Sequence, residues 1–418
     1  MTDPSIRRRH LLRLALGAGA GALLPTRVLW AQDAEKTDSD GAKPGPVLVV
    51  VFLRGGVDGL SMLVPHADSR YYELRSSTRL PARGDDDAAL DLDGHFGMHP
   101  AMASLRPLYR EHRLAWVHAI GSPSETRSHF EAQDFMELGA CDALSVRGGW
   151  LARYLESMPQ KGSLFGAIST SETLPLCLWP SSDALTLDVR RTGRPGPSKA
   201  NPYQEALRLG RRQLFSEGNR IASNARRHIE AAAYIRQLAL DSSRAAYPRT
   251  HFGEELSLVA GLIKQRVGVR VAWVDKGGWD THVRQGAASG LLSDNLRDLS
   301  DGLAAFARDL GEELGRVIVL GLTEFGRTAA ENGTGGTDHG HGSASFVLGG
   351  PVAGGKVLGR WPGLRKESLY EERDLAVTTD YRQLLSEIMT GHMGARDARS
   401  LFPGYEPSPT PLGVLAKG

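Results

Sequence analysis

Residues 47–56 read VLVVVFLRGG, four valines among seven apolar residues, stopped by an arginine and two glycines. A run with no polar alternation has no face to present to water. It demands cover on both sides, the position of a central strand in a parallel sheet. Three more stretches pair an apolar run with a glycine or polar stop: RLAWVHAIG (113–121), VGVRVAWVDKGGWDTH (267–282) and RVIVLGLTEFGRT (316–328). Between the last two, SDNLRDLSDGLAAFARDLGEELG places Leu296, Leu299, Leu303, Phe306 and Leu310 at helical spacing, with Ser293 as the expected N-cap and Gly315 past the end. Strands alternating with helices predict an α/β fold, a mostly parallel central sheet with helices on both faces. The 418 residues, 41% hydrophobic and 23% charged, suffice for one large domain, expected over 47–405 with a tail at 406–418. Residues 201–265, rich in Ala, Arg, Glu and Leu, read as a helical insertion in it.

The start of the chain is of another kind. Residues 1–31 carry Arg7, Arg8, Arg9, Arg13 and Arg27 against one acid, Asp3, with an apolar run from Leu14 to Leu24 and small residues near Ala31. That run falls short of the roughly 20 residues that span a bilayer. Paired arginines before a short apolar segment read as a twin-arginine export signal, removed from the mature chain. The expected partner is the twin-arginine export machinery and the expected location periplasmic, with no stable membrane span after removal. A polar, Gly/Pro-rich linker at 32–46 joins this segment to the domain. Removing five arginines and one aspartate takes the formal charge from +2 to −2, which leaves no electrostatic case for nucleic acid. Cys141 and Cys177 are too few for a disulfide scaffold or a zinc ribbon. One bridge between them and two separate thiols both stay open.

In open α/β sheets, ligands bind beyond the carboxyl ends of the strands, and polar residues gather there in this chain. Asp58 follows the first strand; Thr126, Arg127, Ser128 and His129 follow the second, where a helix should start. Asp280 and His282 follow the third, Glu324 and Arg327 the fourth. Then comes GTDHGHGSASFVLGGP (336–351), with Asp338, His339 and His341 among glycines. Carboxylates and imidazoles delivered to one edge from distant segments meet the requirement of a divalent metal site.

Each piece also has a plainer reading. Asp58 suits a turn, Asp280 and His282 a simple hydrogen-bonded pair, Glu324 and Arg327 a structural ion pair, and His341 a solvated side chain. Ser128 stands near a helix N-terminus, where free N–H groups and the Arg127 guanidinium favour an anion. Alternatively it is only the N-cap, with Glu131 as its capping-box partner. His66, His112, His228, His251 and His392 sit in contexts that suggest no role.

The order VRVAWVD…WDTH, amphipathic helix, RVIVLGLTEFGR, GTDHGHGSASFVLGGP resembles the C-terminal half of the alkaline phosphatase superfamily. More closely, FLRGGVDGL, FGMHPAM, SHFEAQDFMELG, GGWDTH, TEFGRT, GTDHGHG and DYRQLLSEIM make residues 46–390 similar to the Tat-exported domain-of-unknown-function-1501 family, grouped with that superfamily. The resemblance implies an alkaline-phosphatase-like fold and a metal-dependent hydrolase of phosphate or sulfate esters. Carried over by position, Asp280, His282 and His339 hold a first metal, and Asp58 and Glu324 a second. Asp338 joins the candidate ligands, and Ser128 is the nucleophile with Thr126 in reserve.

The chain departs from the superfamily where an Asp–His pair is replaced by Glu324–Phe325, and where Asp280 and His282 stand closer together than in the enzymes. The expectation is therefore one metal ahead of two, zinc or manganese rather than calcium given mixed imidazole and carboxylate donors. Two functions follow. The first is an exported hydrolase of a small anionic ester, with Ser128 attacking and Arg127 or Arg327 clamping the anion. The alternative is a non-catalytic periplasmic binding or accessory protein that keeps the fold and at most one structural metal. No cysteine cluster, haem motif or flavin fingerprint supports electron transfer. The glycines of GTDHGHG predict a loop that bends His339 back toward Asp280 and His282.

Overall fold

All four apolar runs become strands in the computed structural model, which describes residues 44–141, 146–158, 163–187, 189, 227, 229–235 and 246–416. They are β1 (Val47–Leu53), β2 (Leu114–Gly121) and, after the short β3 (Ala167–Ser169) and β4 (Ala184–Thr186), β5 (Val271–Lys276) and β6 (Val317–Leu322). With β7 (Ser343–Gly349), β8 (Lys356–Leu358) and β9 (Thr379–Asp380) they form one nine-stranded sheet. Its order is β8-β2-β7-β6-β1-β5-β3-β4, with β9 also on β2. Every pairing is parallel except the two made by β7.

The demand for cover on both faces is met residue by residue. Val47, Val49, Val51 and Leu53 of β1 enter one core, and Leu48, Val50 and Phe52 enter the other. Five helices matter here: α1 (His129–Leu138), α2 (Trp150–Ser157), α3 (His251–Lys264), α4 (Leu291–Leu310) and α5 (Tyr381–Gly391). Leu256 and Val259 of α3 and Leu296 and Leu303 of α4 fill the first core. Trp150 and Tyr154 of α2 and Leu384 and Ile388 of α5 fill the second. Each fully buried aliphatic side chain contributes about 1.5–3 kcal/mol, so the alternation along β1 ties both helix layers to one strand.

Three details differ from expectation or fall beyond it. α4 starts earlier, with Gly290 at its N-cap; Ser293 lies inside the first turn and its hydroxyl donates to the Ala288 carbonyl at 2.8 Å. The helix stops at Leu310, because Gly311 turns left-handed (φ 52°), and Gly315 belongs to the short 3-10 turn that follows. Of the expected helical insertion, 201–226, 228 and 236–245 lie outside the described residues, as does the expected export signal. Cys141 and Cys177 are both free thiols. No helix among the described residues is long and apolar enough to cross a membrane.

The reversed strand matters most for the site. Because β7 runs against β6, its first residue stands at the edge where β1, β5 and β6 end. The GTDHGHG loop therefore enters the sheet from the edge that also carries Asp280 and Glu324.

Candidate metal centre

Asp280, four residues beyond β5, is where the distant segments meet. Its Oδ1 lies 3.0 Å from His282 Nε2, 3.3 Å from His339 Nε2 and 3.5 Å from His129 Nε2, with Arg327 Nη2 donating to it at 2.7 Å. His282 Nε2 and His339 Nε2 are 2.9 Å apart. His129, Asp280 and His339 each place a ligand atom within 4.8 Å of the other two.

The second nitrogen of each ring settles its proton. His129 Nδ1 lies 2.8 Å from Glu324 Oε1, His282 Nδ1 3.0 Å from Asp338 Oδ1, and His339 Nδ1 2.8 Å from the Arg127 carbonyl. All three partners are oxygens without a proton to give, so each Nδ1 is an N–H donor, which in the neutral ring leaves Nε2 as the nitrogen able to bind a metal. Three Nε2 atoms thus surround one carboxylate oxygen. His129 Nε2 is buried with no hydrogen-bond partner. Two neutral Nε2 atoms at 2.9 Å cannot bond each other. For metal bonds of 2.0–2.2 Å, tetrahedral ligands stand about 3.3 Å apart, close to the distances from Asp280 to each imidazole. The group whose ligand atoms all lie within reach of one another is His129, Asp280 and His339, with His282 beside it. An imidazole held by a carboxylate or carbonyl through its other nitrogen is the usual support for a metal-bound histidine. The donor set fits a divalent metal ion.

The glycines make this approach possible. A Cβ on Gly336 would sit 2.4 Å from the His282 carbonyl, and one on Gly340 would sit 2.4 Å from the Arg327 backbone. Arg327 and His339 pair across a single antiparallel bridge, and the Thr328 N–H donates to the Asp338 carbonyl at 3.0 Å. The loop is laced to TEFGRT, which carries His339 back to Asp280.

Charges follow the contacts. Burial works against ionisation of Asp280, but the hydrogen bond and charge of Arg327 outweigh it and hold its carboxyl at about 2. Glu324 is buried too, yet donations from His129, Gln133 and the Gly55 N–H lower its value. His129 is raised by its bond to Glu324 against the opposing effect of burial, whereas burial lowers His339.

Several candidate residues have other occupations. Asp58 does not join the cluster: its carboxylate is fully buried and forked by Arg75 at 2.6 and 3.0 Å, with Ser61 and Gln285 also donating. Glu324 is saturated as the acceptor for His129 Nδ1, Gln133 Nε2 and Gly55 N. The two acids expected at a second metal are thus committed, one to an arginine and one to orienting His129. Asp338 likewise orients His282 and accepts from Asn332 at 3.0 Å.

Arg327 is fully buried, its guanidinium spread over the carbonyls of Gly55, Gly56, Trp279 and Thr337 besides Asp280. It has no fork left for an anion. Arg127 is held by Asp374 and Glu371 at 2.8 and 2.6 Å. Ser128 is the exposed N-cap of α1 but makes no side-chain cap bond, and Glu131 accepts from Thr126 instead, at 2.5 Å. His341 is not solvated: it is buried and stacked on Tyr370 with ring centroids 4.3 Å apart.

A further donor, His129, stands in the sequence among the polar residues after the second strand, and sequence reasoning gives it no ligand role there. His129, Gln133 and Glu137 recur at i, i+4 and i+8 on a helix that otherwise buries Ala132, Phe135 and Met136. A polar stripe ending in a buried glutamate was the available clue.

The family described as "Protein of unknown function (DUF1501)" matches residues 189–401. No curated protein matches the sequence. Among solved structures, the PsFucS1 sulfatase from Pseudoalteromonas sp. aligns at 11% identity with a TM-score of 0.33, over 78% of this chain and 66% of that one. A likeness of that size bears on neither activity nor substrate. The family match spans just over half of the chain, and the chain belongs to the DUF1501 family.

Proposed function

We propose that His129, Asp280, His282 and His339 hold one divalent metal ion, zinc or manganese, and that the protein is an exported metal-dependent hydrolase of a small phosphate or sulfate ester. One observation supports this above the others: three imidazoles, each with Nδ1 already engaged as a donor, turn their Nε2 atoms to a single carboxylate oxygen. When bound, such an ion supplies Lewis-acid polarisation of an ester oxygen. The chain supplies the rest. Asp280 is half exposed, so the cluster opens to solvent. Ser128 presents an unbonded hydroxyl one residue before His129 and is the candidate nucleophile, whereas Thr126 is tied to Glu131. With both arginines committed, the free N–H groups in the first turn of α1 are the remaining element that favours an anion.

The test begins with metal content. Protein purified without chelators should carry close to one metal per chain, and Asp280→Ala and His339→Ala should each lose it while staying folded. p-Nitrophenyl phosphate and sulfate then probe turnover, which Ser128→Ala should abolish. Folded wild-type protein that neither holds nor takes up metal rejects the reading. The commitment of Arg127 and Arg327 to internal partners favours a second reading, a binding or accessory protein with a structural metal. One metal per chain without turnover of either ester would support that reading instead.

A further inference from the structure

His339 is gripped twice by residues outside the metal cluster. Its ring Nδ1 donates to the Arg127 carbonyl at 2.8 Å, and its own carbonyl accepts from Arg373 Nη2 at 2.6 Å. Both arginines converge on one carboxylate. Asp374 accepts from Arg127 Nε and Nη2 at 3.2 and 2.8 Å and from Arg373 Nε at 2.8 Å, and its side chain is completely buried. Arg127 also directly precedes Ser128 and α1, so anything that fixes it fixes the start of the helix that bears His129.

The turn that supplies Asp374 is unusual. Tyr370 and Asp374 exchange backbone hydrogen bonds at 2.8 and 2.9 Å. Between them, Glu371 and Glu372 are consecutive non-glycine residues in the left-handed region, at φ 50° and 55°. L-residues pay for that conformation, and it persists where surrounding contacts over-determine it. Those contacts lead to the site: Glu371 reaches Arg127 at 2.6 Å, and the Tyr370 ring stacks on His341, two residues after His339.

We propose that the turn Tyr370–Asp374 is a latch that positions two of the metal-binding imidazoles, with Asp374 acting through Arg127 and Arg373. Asp374 is thus a positioning residue: it touches no ligand atom and sets where His339 and the start of α1 stand. The inference rests on the metal-site reading above, since a latch needs an ion to position for. It gives Arg127 a part in the centre through its carbonyl rather than as an anion clamp. Outer partners that orient ligands typically change metal affinity by about 10–100-fold when removed.

Cobalt(II) is the probe, titrated into full-length protein stripped of metal, with the visible absorption of the bound ion as the readout. Asp374→Asn keeps the side chain's shape but removes the charge that holds both arginines; Arg373→Gln removes the grip on the His339 carbonyl and one of the two arginines on Asp374, and leaves Arg127 in place. The expected result is cobalt binding weakened by about 10–100-fold in Asp374→Asn and several-fold in Arg373→Gln, with an altered visible spectrum in both. A merely structural role would change melting behaviour and leave the bound-cobalt spectrum as in wild type. Wild-type affinity and spectrum in the folded variants overturn the latch while leaving the metal site standing. If Asp374→Asn does not fold, Arg373→Gln decides alone, because its partly exposed side chain can be removed without opening the core. Failure of wild-type protein to take up cobalt overturns the metal reading itself, and the latch with it.

Discussion

At the scale of single residues, two buried polar groups show how far a side chain's task departs from its chemistry in isolation. His99, from the FGMHPAM stretch, is fully buried; its Nε2 faces the Ala287 carbonyl at 3.0 Å and its Nδ1 accepts from the Ala101 N–H at 3.1 Å. That pattern is complete only for the neutral ring. Burial lowers its value to about 4, against a slight opposing effect of the Ala287 carbonyl. Below its ordinary value of 6.5, the unfolded chain binds a proton that the folded chain refuses. The stability contribution is therefore full above pH 6.5 and lost as the pH falls toward 4, about 3 kcal/mol in all. Melting temperatures at pH 7 and pH 5 should fall less steeply for His99→Asn than for wild type; equal slopes would contradict the argument.

Asp58 makes the opposite case. Removing one partner of a buried ion pair costs about 3–5 kcal/mol, so Asp58→Asn should destabilise strongly, as read by chemical denaturation, yet leave metal stoichiometry intact in the folded fraction. Loss of metal from folded Asp58→Asn would return that residue to the centre. Its position after a glycine pair showed a constrained acid; its partner Arg75, 17 residues on, carried no mark in the sequence.

At the scale of elements, the strands were legible because burial on both faces leaves a continuous apolar run. Their directions were not. An apolar run such as SASFVLG reads the same parallel or antiparallel, and only the pairing of Phe346 with Gly321 and Gly349 with Ile318 shows that β7 is reversed. The closure of the GTDHGHG loop on Asp280 and His282 could be anticipated from its glycines. The partners of each Nδ1 could not, since they come from TEFGR, the loop itself and the Arg127 carbonyl ahead of α1. Close backbone packing carries the argument to a prediction. A Cβ on Gly326 would lie 1.8 Å from the Gly342 carbonyl, a clash no rotamer relieves. Gly326→Ala should push the loop off TEFGRT and abolish metal uptake, with a lowered melting temperature but an intact sheet by circular dichroism. Wild-type metal content in that variant would show that the loop does not depend on this contact.

For the whole molecule, the centre is assembled from residues 129, 280, 282 and 339, held by β2, β5, β6 and β7 across the middle of the sheet. No short piece of chain contains it, so the ligands meet only once the sheet has formed. On the proposed reading, metal binding is then coupled to complete folding, and an export route that carries folded proteins is the one compatible with loading before export. The paired Arg8 and Arg9 are the residues on which the proposed twin-arginine route rests. Replacing both with lysine keeps the charge and removes the guanidinium pair. The Arg8→Lys/Arg9→Lys protein should accumulate in the cytoplasm of a Gram-negative host, uncleaved, with the same metal per chain as the exported wild type. Fractionation with metal analysis of both pools checks this. Wild-type amounts of the variant in the periplasm would show that the arginines do not direct export. A retained protein that is folded but lacks metal would instead place loading after the membrane has been crossed.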